Sequence, residues 1–298
     1  MFDEAPATTP GGRADQLLRL LDVENVDGDR FSGYPQPGGE GRVFGGQVIA
    51  QGLVAAMRTT ADDRLCHSLH AYFMRGGEEG IPIAYVVDRD FDGGSFSTRR
   101  VTASQHDRPI LTMTASFHKR EEGFTHQDAM PDVMSPEQCL TEAQRIEMES
   151  DPATAAMLTR FQRVRPIEMR WVEPRSFITL KPRAPISHVW LRLAGPAGDD
   201  ANMHRAILAY ASDMALLSTS CLPHGVNWHT PGFMTASLDH AIWLHDDFRV
   251  DDWLLYAMDS PWAARARGFN RGRFFTRDGR MVASVAQEGL MRMRAMKP

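Results

Sequence analysis

Two stretches of the chain would be apolar around nearly their whole circumference if they formed helices. One covers residues 47–57, follows a Phe-Gly-Gly entry at 44–46 and carries no formal charge. The other begins at Ala206, and from there to Leu238 the only formal charge is Asp213. Residues 47–57 and 206–217 lack proline and predict helices. A helix without a polar face has to be enclosed by other elements.

Segments with a two-residue alternation of apolar side chains follow each predicted helix. In the first half they include Ile81, Ile83, Tyr85 and Val87, and then Leu111, Met113, Ala115 and Phe117. In the second half, residues 277–280 (RDGR) predict a hairpin turn before a strand at 281–285. A curved antiparallel sheet wrapped around a central helix satisfies both patterns, so we expect an α+β fold.

The chain repeats this plan at an offset of about 170 residues, which predicts two units of the same architecture. Residues 68–73 (SLHAYF) resemble 237–243 (SLDHAIW) with one insertion, and 107–117 resemble 278–288. The segment between the halves is polar and proline-containing, with a helix expected within 136–148. We therefore predict a first unit at 13–125, a connector at 126–162 and a second unit at 163–298.

Composition and charge limit the classes of function. The 298 residues are 43% hydrophobic and 24% charged. The net charge of −5 is not typical of a nucleic-acid-binding protein, so we expect no nucleic-acid partner. Three widely spaced cysteines fit a reducing compartment, so we expect the cytoplasm and no disulfide framework. Residues 1–12 lack the features of a signal peptide, and we expect no later segment to be long and apolar enough to span a membrane. We expect no membrane insertion.

Asp213 is the charged residue that most needs an explanation. On a helix its neighbours at three and four residues are Ala209, Tyr210, Leu216 and Leu217, so its side chain would leave from an apolar stripe. Such a carboxylate must be met by hydrogen-bond donors or become neutral. A general base fits this environment, and so does a buried structural acid.

Two further polar residues fall on predicted apolar strand faces. Gln287 shares a side with Ala283 and Val285, and Ser237 begins a strand that runs through Ala241. An amide and a hydroxyl beside Asp213 could hold one water molecule for attack on an acyl group. A polar network that only fixes the geometry of the core is the alternative.

Several motifs together resemble the type II acyl-CoA thioesterases. In the first half they are 43–47 (VFGGQ), 67–73 (HSLHAYF), 94–100 (GSFSTRR) and 113–117 (MTASF). In the second half they are 208–213 (LAYASD), 222–225 (LPHG), 236–240 (ASLDH), 266–269 (ARGF) and 287–289 (QEG). The resemblance implies a double hotdog, two helix-in-sheet units in one chain, that hydrolyses fatty acyl-CoA without a metal or cofactor.

The resemblance also implies roles for individual residues. Asp213 would activate the water, Gln287 would be its hydrogen-bonding partner, and Ser237 would supply a hydroxyl where the family commonly has threonine. Independently, Gly45 and Gly46 open a helix, and backbone N–H groups at a helix N-terminus can stabilise an oxyanion. We expect these two glycines to contact the substrate.

Other polar residues have competing interpretations. His67 could line the active site from the first half or be an ordinary core or pocket-wall histidine. Its spacing to His70 does not suit a metal site on a strand. Cys66 is expected to be structural. Possible partners for the phosphates of a CoA moiety are Arg99, Arg100, Arg265, Arg267, Arg271 and Arg273.

Three functions remain open at this stage. The leading prediction is an acyl-CoA thioester hydrolase. A hotdog enoyl-CoA hydratase or dehydratase, which shuttles protons between an acid and a histidine, is the first alternative, and a non-catalytic acyl-CoA-binding protein is the second. A homo-oligomer, dimer or tetramer, is possible although the internal repeat already pairs two units.

Overall fold

The computed structural model describes residues 7, 9–36, 41–149, 151–152, 154–156, 158–159, 165–173 and 181–294. Within these ranges the helices include α1 (Pro10–Leu21), α2 (Gly45–Met57), α3 (Glu142–Glu147) and α4 (Ala201–Ser212), and a 3-10 helix covers Leu216–His224. The strands are β1 (Val23–Asp27), β2 (Arg30–Gly33), β3 (Arg64–Phe73), β4 (Ile83–Asp92), β5 (Phe96–Gln105), β6 (Arg108–Lys119), β7 (Ile167–Trp171), β8 (Ile186–Leu193), β9 (Phe233–Ser237), β10 (Asp239–Leu244), β11 (Leu254–Ala264), β12 (Arg267–Thr276) and β13 (Met281–Met293).

The strands form one antiparallel sheet whose two halves mirror each other. Its order is β1-β2-β4-β5-β6-β3-β10-β13-β12-β11-β8-β7, and β9 pairs with β13 off this path. Reading outward from the centre, β10 corresponds to β3, β13 to β6, β12 to β5, β11 to β4, β8 to β2 and β7 to β1. The central pair joins the units, with Ala241 opposite His70 and Ile242 opposite Leu69. The predicted duplication is therefore visible as strand order.

The central helix of the first unit is enclosed as its sequence predicts. Every residue of α2 from Gly46 to Ala56 is buried, which leaves the helix no polar face toward solvent. Gly46 allows α2 and α4 to approach closely, because a Cβ atom there would lie 2.4 Å from the backbone oxygen of Tyr210. The two central helices therefore meet across the boundary between the units.

The segment from Ala201 to His224 is long and apolar enough to cross a membrane by length and composition. The sequence-based expectation that no segment reaches that length was wrong, because α4 and the 3-10 helix follow each other with only a short break. In this structure 72% of its most apolar window is buried inside the protein, so the fold itself accounts for the apolar character. The absence of membrane insertion stays a prediction.

The connector contains the helix predicted within 136–148. Within 136–148 only residues 142–147 form α3, which begins at a capping box between Thr141 and Gln144. The predicted boundary between residues 162 and 163 lies outside the described residues, and the three predicted domain limits stay predictions. The sequence did not predict α1, which has Thr9 as its N-cap and Pro10 at its first position.

Candidate active site

Asp213 lies where the helix of the second unit stops. It is the C-cap residue of α4, and the backbone resumes as a 3-10 helix at Leu216. The expectation that Asp213 leaves from the side of a continuing helix therefore has to be corrected. Its side chain is only 5% exposed. Because a helix C-terminus carries partial negative charge, the helix dipole gives no support to a carboxylate at this position.

Gln287 and Ser237 both contact one oxygen of the Asp213 carboxylate. Nε2 of Gln287 donates to Oδ1 of Asp213 at 2.6 Å and to Oγ of Ser237 at 3.0 Å. Oγ of Ser237 donates to the same Oδ1 at 3.3 Å. The structure thus brings together the three residues that the sequence singled out. Since a carboxylate only accepts, these contacts fix the orientation of the Gln287 amide.

Gln287 and Ser237 contact Asp213 from two different strands. Gln287 is fully buried on β13, on the same face as Val285, as the alternation predicted. Ser237 ends β9 instead of beginning the strand through Ala241, because the chain breaks at Leu238 before β10. Leu238 donates its N–H to the oxygen of Glu288, which turns the chain beside Gln287. This break places the hydroxyl over the carboxylate.

Burial controls the electrostatics of Asp213. Loss of solvent raises its pKa from 3.8 to about 6, while hydrogen bonds from Gln287, Ser237 and the backbone N–H of Gly46 act in the opposite direction. Burial prevails because none of these donors carries a full positive charge. The carboxyl group therefore exchanges a proton near neutral pH, which suits a general base.

His240 is a titratable residue near this acid that the water-holding hypothesis did not include. Oγ of Ser212 donates to the oxygen of Ala209 at 2.9 Å, so it accepts from Nε2 of His240 at 2.8 Å. Nδ1 then carries the lone pair and lies 4.0 Å from Oδ1 of Asp213, beyond hydrogen-bond distance. Burial lowers the pKa of His240 to about 4, so the imidazole is neutral and does not neutralise the carboxylate.

The first unit covers the other side of the carboxylate. A Cβ atom on Gly45 would lie 2.8 Å from Oδ2 of Asp213 and 2.9 Å from the ring of Phe73. Gly45 and Gly46 thus lie where the sequence predicted a contact site, at the N-terminus of α2. The N–H of Gly46 already donates to the Asp213 carboxylate. Of these two backbone donors, the N–H of Gly45 is therefore the one that can donate to a substrate oxygen.

A cavity of about 350 Å³ connects this site to the surface. Its lining includes Gly45, Phe73, Asp213 and Ser237, whereas Gln287 lies behind them. Two arginines, Arg42 and Arg75, also line it. The sequence interpretation missed both, although each stands within two residues of a motif that it had singled out, 43–47 or 67–73.

His67 is not in the described lining of this cavity, so the hypothesis that it lines the active site has to be corrected. Its Nε2 lies 2.8 Å from Oγ of Ser116, and its ring packs against Phe96 and His118. On β3, His67 precedes Phe73 by six positions, which is about 20 Å of extended strand. The distance along the strand therefore separates His67 from the acid.

Most of the arginines considered for phosphate binding serve other contacts. Arg99 is buried and donates to Asp92 and Thr59. Four others have carboxylate partners: Arg100 with Asp88 and Asp90, Arg267 with Glu288, Arg271 with Asp259, and Arg273 with Asp128. The described lining of the cavity includes none of the six.

The first unit has no counterpart of the acid. The C-cap residue of α2 is Arg58, whereas that of α4 is Asp213. On β6, the strand that corresponds to β13, Phe117 belongs to the buried face, as Gln287 does on β13. Phe117 is fully buried and apolar. Across the residues described here, each chain therefore carries one such site, built mainly by its second unit.

Other candidate chemistry receives little support. In the described ranges there is no group of three His, Cys, Asp or Glu side chains that could hold a metal ion. Burial raises the pKa of the Cys66 thiol to about 12, so the reactive thiolate is suppressed. The absence of a metal or cofactor stays a prediction.

Comparisons with known proteins agree with this geometry. A family model described as acyl-CoA thioesterase matches residues 172–290, and one described as acyl-CoA thioesterase N-terminal domain matches residues 34–118. Acyl-coenzyme A thioesterase 8 of Homo sapiens is 38% identical over 287 residues, covering 93% of this chain and 89% of the human protein.

Solved structures give the same picture. Acyl-CoA thioesterase II TesB2 from Mycobacterium marinum is 37% identical with a TM-score of 0.76, and the match covers 93% of this chain and 98% of that one. A hot dog fold protein of unknown function from Alicyclobacillus acidocaldarius has a TM-score of 0.73 at 19% identity, covering 93% and 98% of the two chains. The latter likeness concerns the fold alone and confirms the predicted hotdog architecture.

Proposed function

Because this chain belongs to the acyl-CoA thioesterase family, we propose that Asp213 is the general base of its thioester hydrolysis. The chain is a thioester hydrolase that converts acyl-CoA and water to a carboxylic acid and free CoA. The observation that carries the proposal is the 2.6 Å hydrogen bond from Gln287 to a buried carboxylate at the end of a cavity. Ser237, which lines the cavity, donates a second side-chain hydrogen bond to this carboxylate.

The two oxygens of Asp213 have separate tasks in this proposal. Oδ1 is held by Gln287 and Ser237, whereas Oδ2 faces Gly45 at the N-terminus of α2. A water molecule between Oδ2 and the thioester carbonyl loses a proton to the carboxylate as its oxygen bonds to the carbonyl carbon. Gln287 lies behind the cavity wall, so it acts by positioning the other two side chains.

The carbonyl oxygen becomes an oxyanion in the same step. The N–H of Gly45 is the first of α2 and has no partner within a helix, so it is the proposed donor. The helix dipole adds partial positive charge at this end. The tetrahedral intermediate then expels CoA as a thiolate, which receives the proton held by Asp213. No covalent acyl-enzyme forms.

The arrangement of His240 distinguishes hydrolysis from the dehydratase alternative. A proton shuttle by an acid and a histidine requires each of the two side chains to reach the substrate. Here His240 is fully buried, and it is not in the described lining of the cavity. Two donors hold Asp213 instead, which supports water activation.

Release of free thiol from a series of acyl-CoA substrates, followed with a chromogenic thiol reagent, tests the proposal. We expect thiol and carboxylic acid in equal amounts. Hydration of an enoyl-CoA without thiol would replace the hydrolase by a lyase, and tight binding of acyl-CoA without either reaction would leave a binding protein. The cytoplasmic location and assembly into a dimer or tetramer stay predictions.

A further inference from the structure

Two arginines mark the outer end of the cavity whose inner end is Asp213. Arg42 and Arg75 are both exposed, whereas the Asp213 side chain is almost completely buried. Asp213 is the only carboxylate in the described lining of this cavity. The cavity therefore runs from a positively charged rim to a buried acid, and this polarity suggests how a substrate is oriented.

The backbone holds the two arginines in neighbouring positions. Val43 donates its N–H to the oxygen of Gly77 at 3.0 Å, and Glu79 donates to the oxygen of Gly41 at 2.9 Å, so the two segments that carry the arginines are tied together. A Cβ atom on Gly76 would lie 3.3 Å from Cδ and Nε of Arg42. The Arg42 side chain therefore lies across the residue that follows Arg75.

The charge of this pair is not neutralised within the part of the chain that the structure describes. Arg75 donates to the backbone oxygen of Pro109 at 2.7 Å, which orients its guanidinium without compensating its charge. No carboxylate lies within ion-pair distance of Arg42 or Arg75 among the described residues. Two acids lie on the adjoining segment, and both have other contacts. Oε2 of Glu79 accepts from the N–H of Gly41, and Oε1 of Glu78, whose backbone pairs with that of Arg42, lies 3.6 Å from Nε2 of His106.

We propose that Arg42 and Arg75 together bind the phosphate groups of the CoA moiety and thereby orient the thioester toward Asp213. This inference rests on the proposed function and deepens it. Guanidinium groups present several donors in a plane that matches phosphate oxygens. Two neighbouring cations also repel each other until an anion binds between them, so a dianionic group gains from both.

The dimensions of the site agree with this orientation. A volume of 350 Å³ lies at the small end for a pocket that encloses a ligand of moderate size. It can enclose the thioester and the adjoining pantetheine arm, while the nucleotide end of CoA stays at the rim. Arg42 precedes Gly45 by three residues, so its Cα lies at most about 10 Å from that of the proposed oxyanion donor.

The test compares two substrates that share a thioester but differ in phosphate. The double variant Arg42→Gln/Arg75→Gln is assayed with an acyl-CoA and with the corresponding acyl-pantetheine, which has no phosphate. We expect KM for acyl-CoA to rise about tenfold or more with little change in kcat. For acyl-pantetheine, kcat/KM should stay within about twofold of wild type.

A matched variant controls for the loss of surface charge. Arg30→Gln removes an exposed arginine from β2, which three strands separate from β3. This variant should have wild-type kcat and KM with both substrates. Raising the salt concentration should raise KM for acyl-CoA in wild type and much less in the double variant, because exposed charges are screened.

Binding of free CoA, measured by calorimetry, separates this inference from the proposed function. The double variant should bind CoA about tenfold more weakly than wild type. Equal losses with both substrates, or unchanged CoA binding, would overturn the role of the arginines. Absence of thiol release by wild type would overturn the hydrolase proposal alone, because the calorimetric result still decides whether the rim holds phosphates.

Discussion

Nε2 of Gln287 lies 2.6 Å from Oδ1 of Asp213 although 74 residues separate them in the chain. Gln287 comes from the middle of β13, and Asp213 is the cap at the end of α4. Both N–H groups of the amide are used, one for the acid and one for Ser237. Its Oε1 is buried without a donor among the described residues, an arrangement that costs stability and is typical of functional sites.

Asp213→Asn should remove catalysis and retain the fold. Asparagine has nearly the same shape and can still accept the hydrogen bond from Gln287, but it cannot take a proton from water. We expect kcat to fall about 100-fold or more, measured by thiol release. The near-ultraviolet circular dichroism spectrum of the variant should match that of wild type. A variant with unchanged kcat would remove Asp213 from the mechanism.

The pH dependence of wild-type activity should follow the ionisation of Asp213. Only the carboxylate form accepts a proton, and burial raises its pKa to about 6. We therefore expect kcat to rise with pH and to level off above this value. The control is Gln287→Glu, which places a second acid beside Asp213 and should move the midpoint upward. A flat wild-type profile between pH 5 and about 8 would contradict the assignment.

Ionisation of Asp213 should lower the stability of the fold, although it increases activity. Because the folded state holds the proton more tightly than the unfolded chain, the contribution is complete below the unfolded pKa and is lost as pH rises through about 6. The charged acid then costs about 3 kcal/mol. Asp213→Asn should be more stable than wild type at about pH 8 and similar near pH 4 in thermal unfolding. A less stable variant at the higher pH would argue against a costly buried charge.

Gln287→Ala should lower kcat by about tenfold, less than the loss of the base, because orientation is shared with Ser237. KM should change little, since Gln287 lies behind the cavity wall. The matched control is Ser237→Thr, which keeps the hydroxyl, adds a methyl group that restricts its rotamer, and should retain wild-type kcat. Thiol release under saturating substrate measures both. Equal activity of Gln287→Ala and wild type would exclude a positioning role.

Alanine at the two glycines of α2 should separate activity from stability. At Gly45 the new Cβ would lie 2.8 Å from Oδ2 of Asp213, so we expect a loss of kcat through displacement of a side chain. At Gly46 it would lie 2.4 Å from the backbone oxygen of Tyr210, so the helices must move apart. That overpacking should cost about 1 to 3 kcal/mol in chemical denaturation. Equal effects of the two variants would contradict this division.

Local pattern was sufficient for much of the architecture. The apolar run at 47–57 indicated a helix without a polar face, and two-residue alternation indicated the strands that enclose it. The isolation of one acid in an apolar stretch also singled out Asp213. These features are readable from the sequence because helix and strand periods and the energetic cost of burying a charge depend on neighbours a few residues apart.

Contacts between distant segments required the tertiary structure. Only the packing of α2 against α4 brings Gly45 to Asp213, only the chain break at Leu238 places Ser237 over the acid, and only the lining of the cavity identified Arg42 and Arg75 in place of the six arginines first considered. The position of His67 outside the cavity was likewise decided only by the tertiary structure. Sheet register and the close approach of two helices decide these distances, and neither is encoded in a local period.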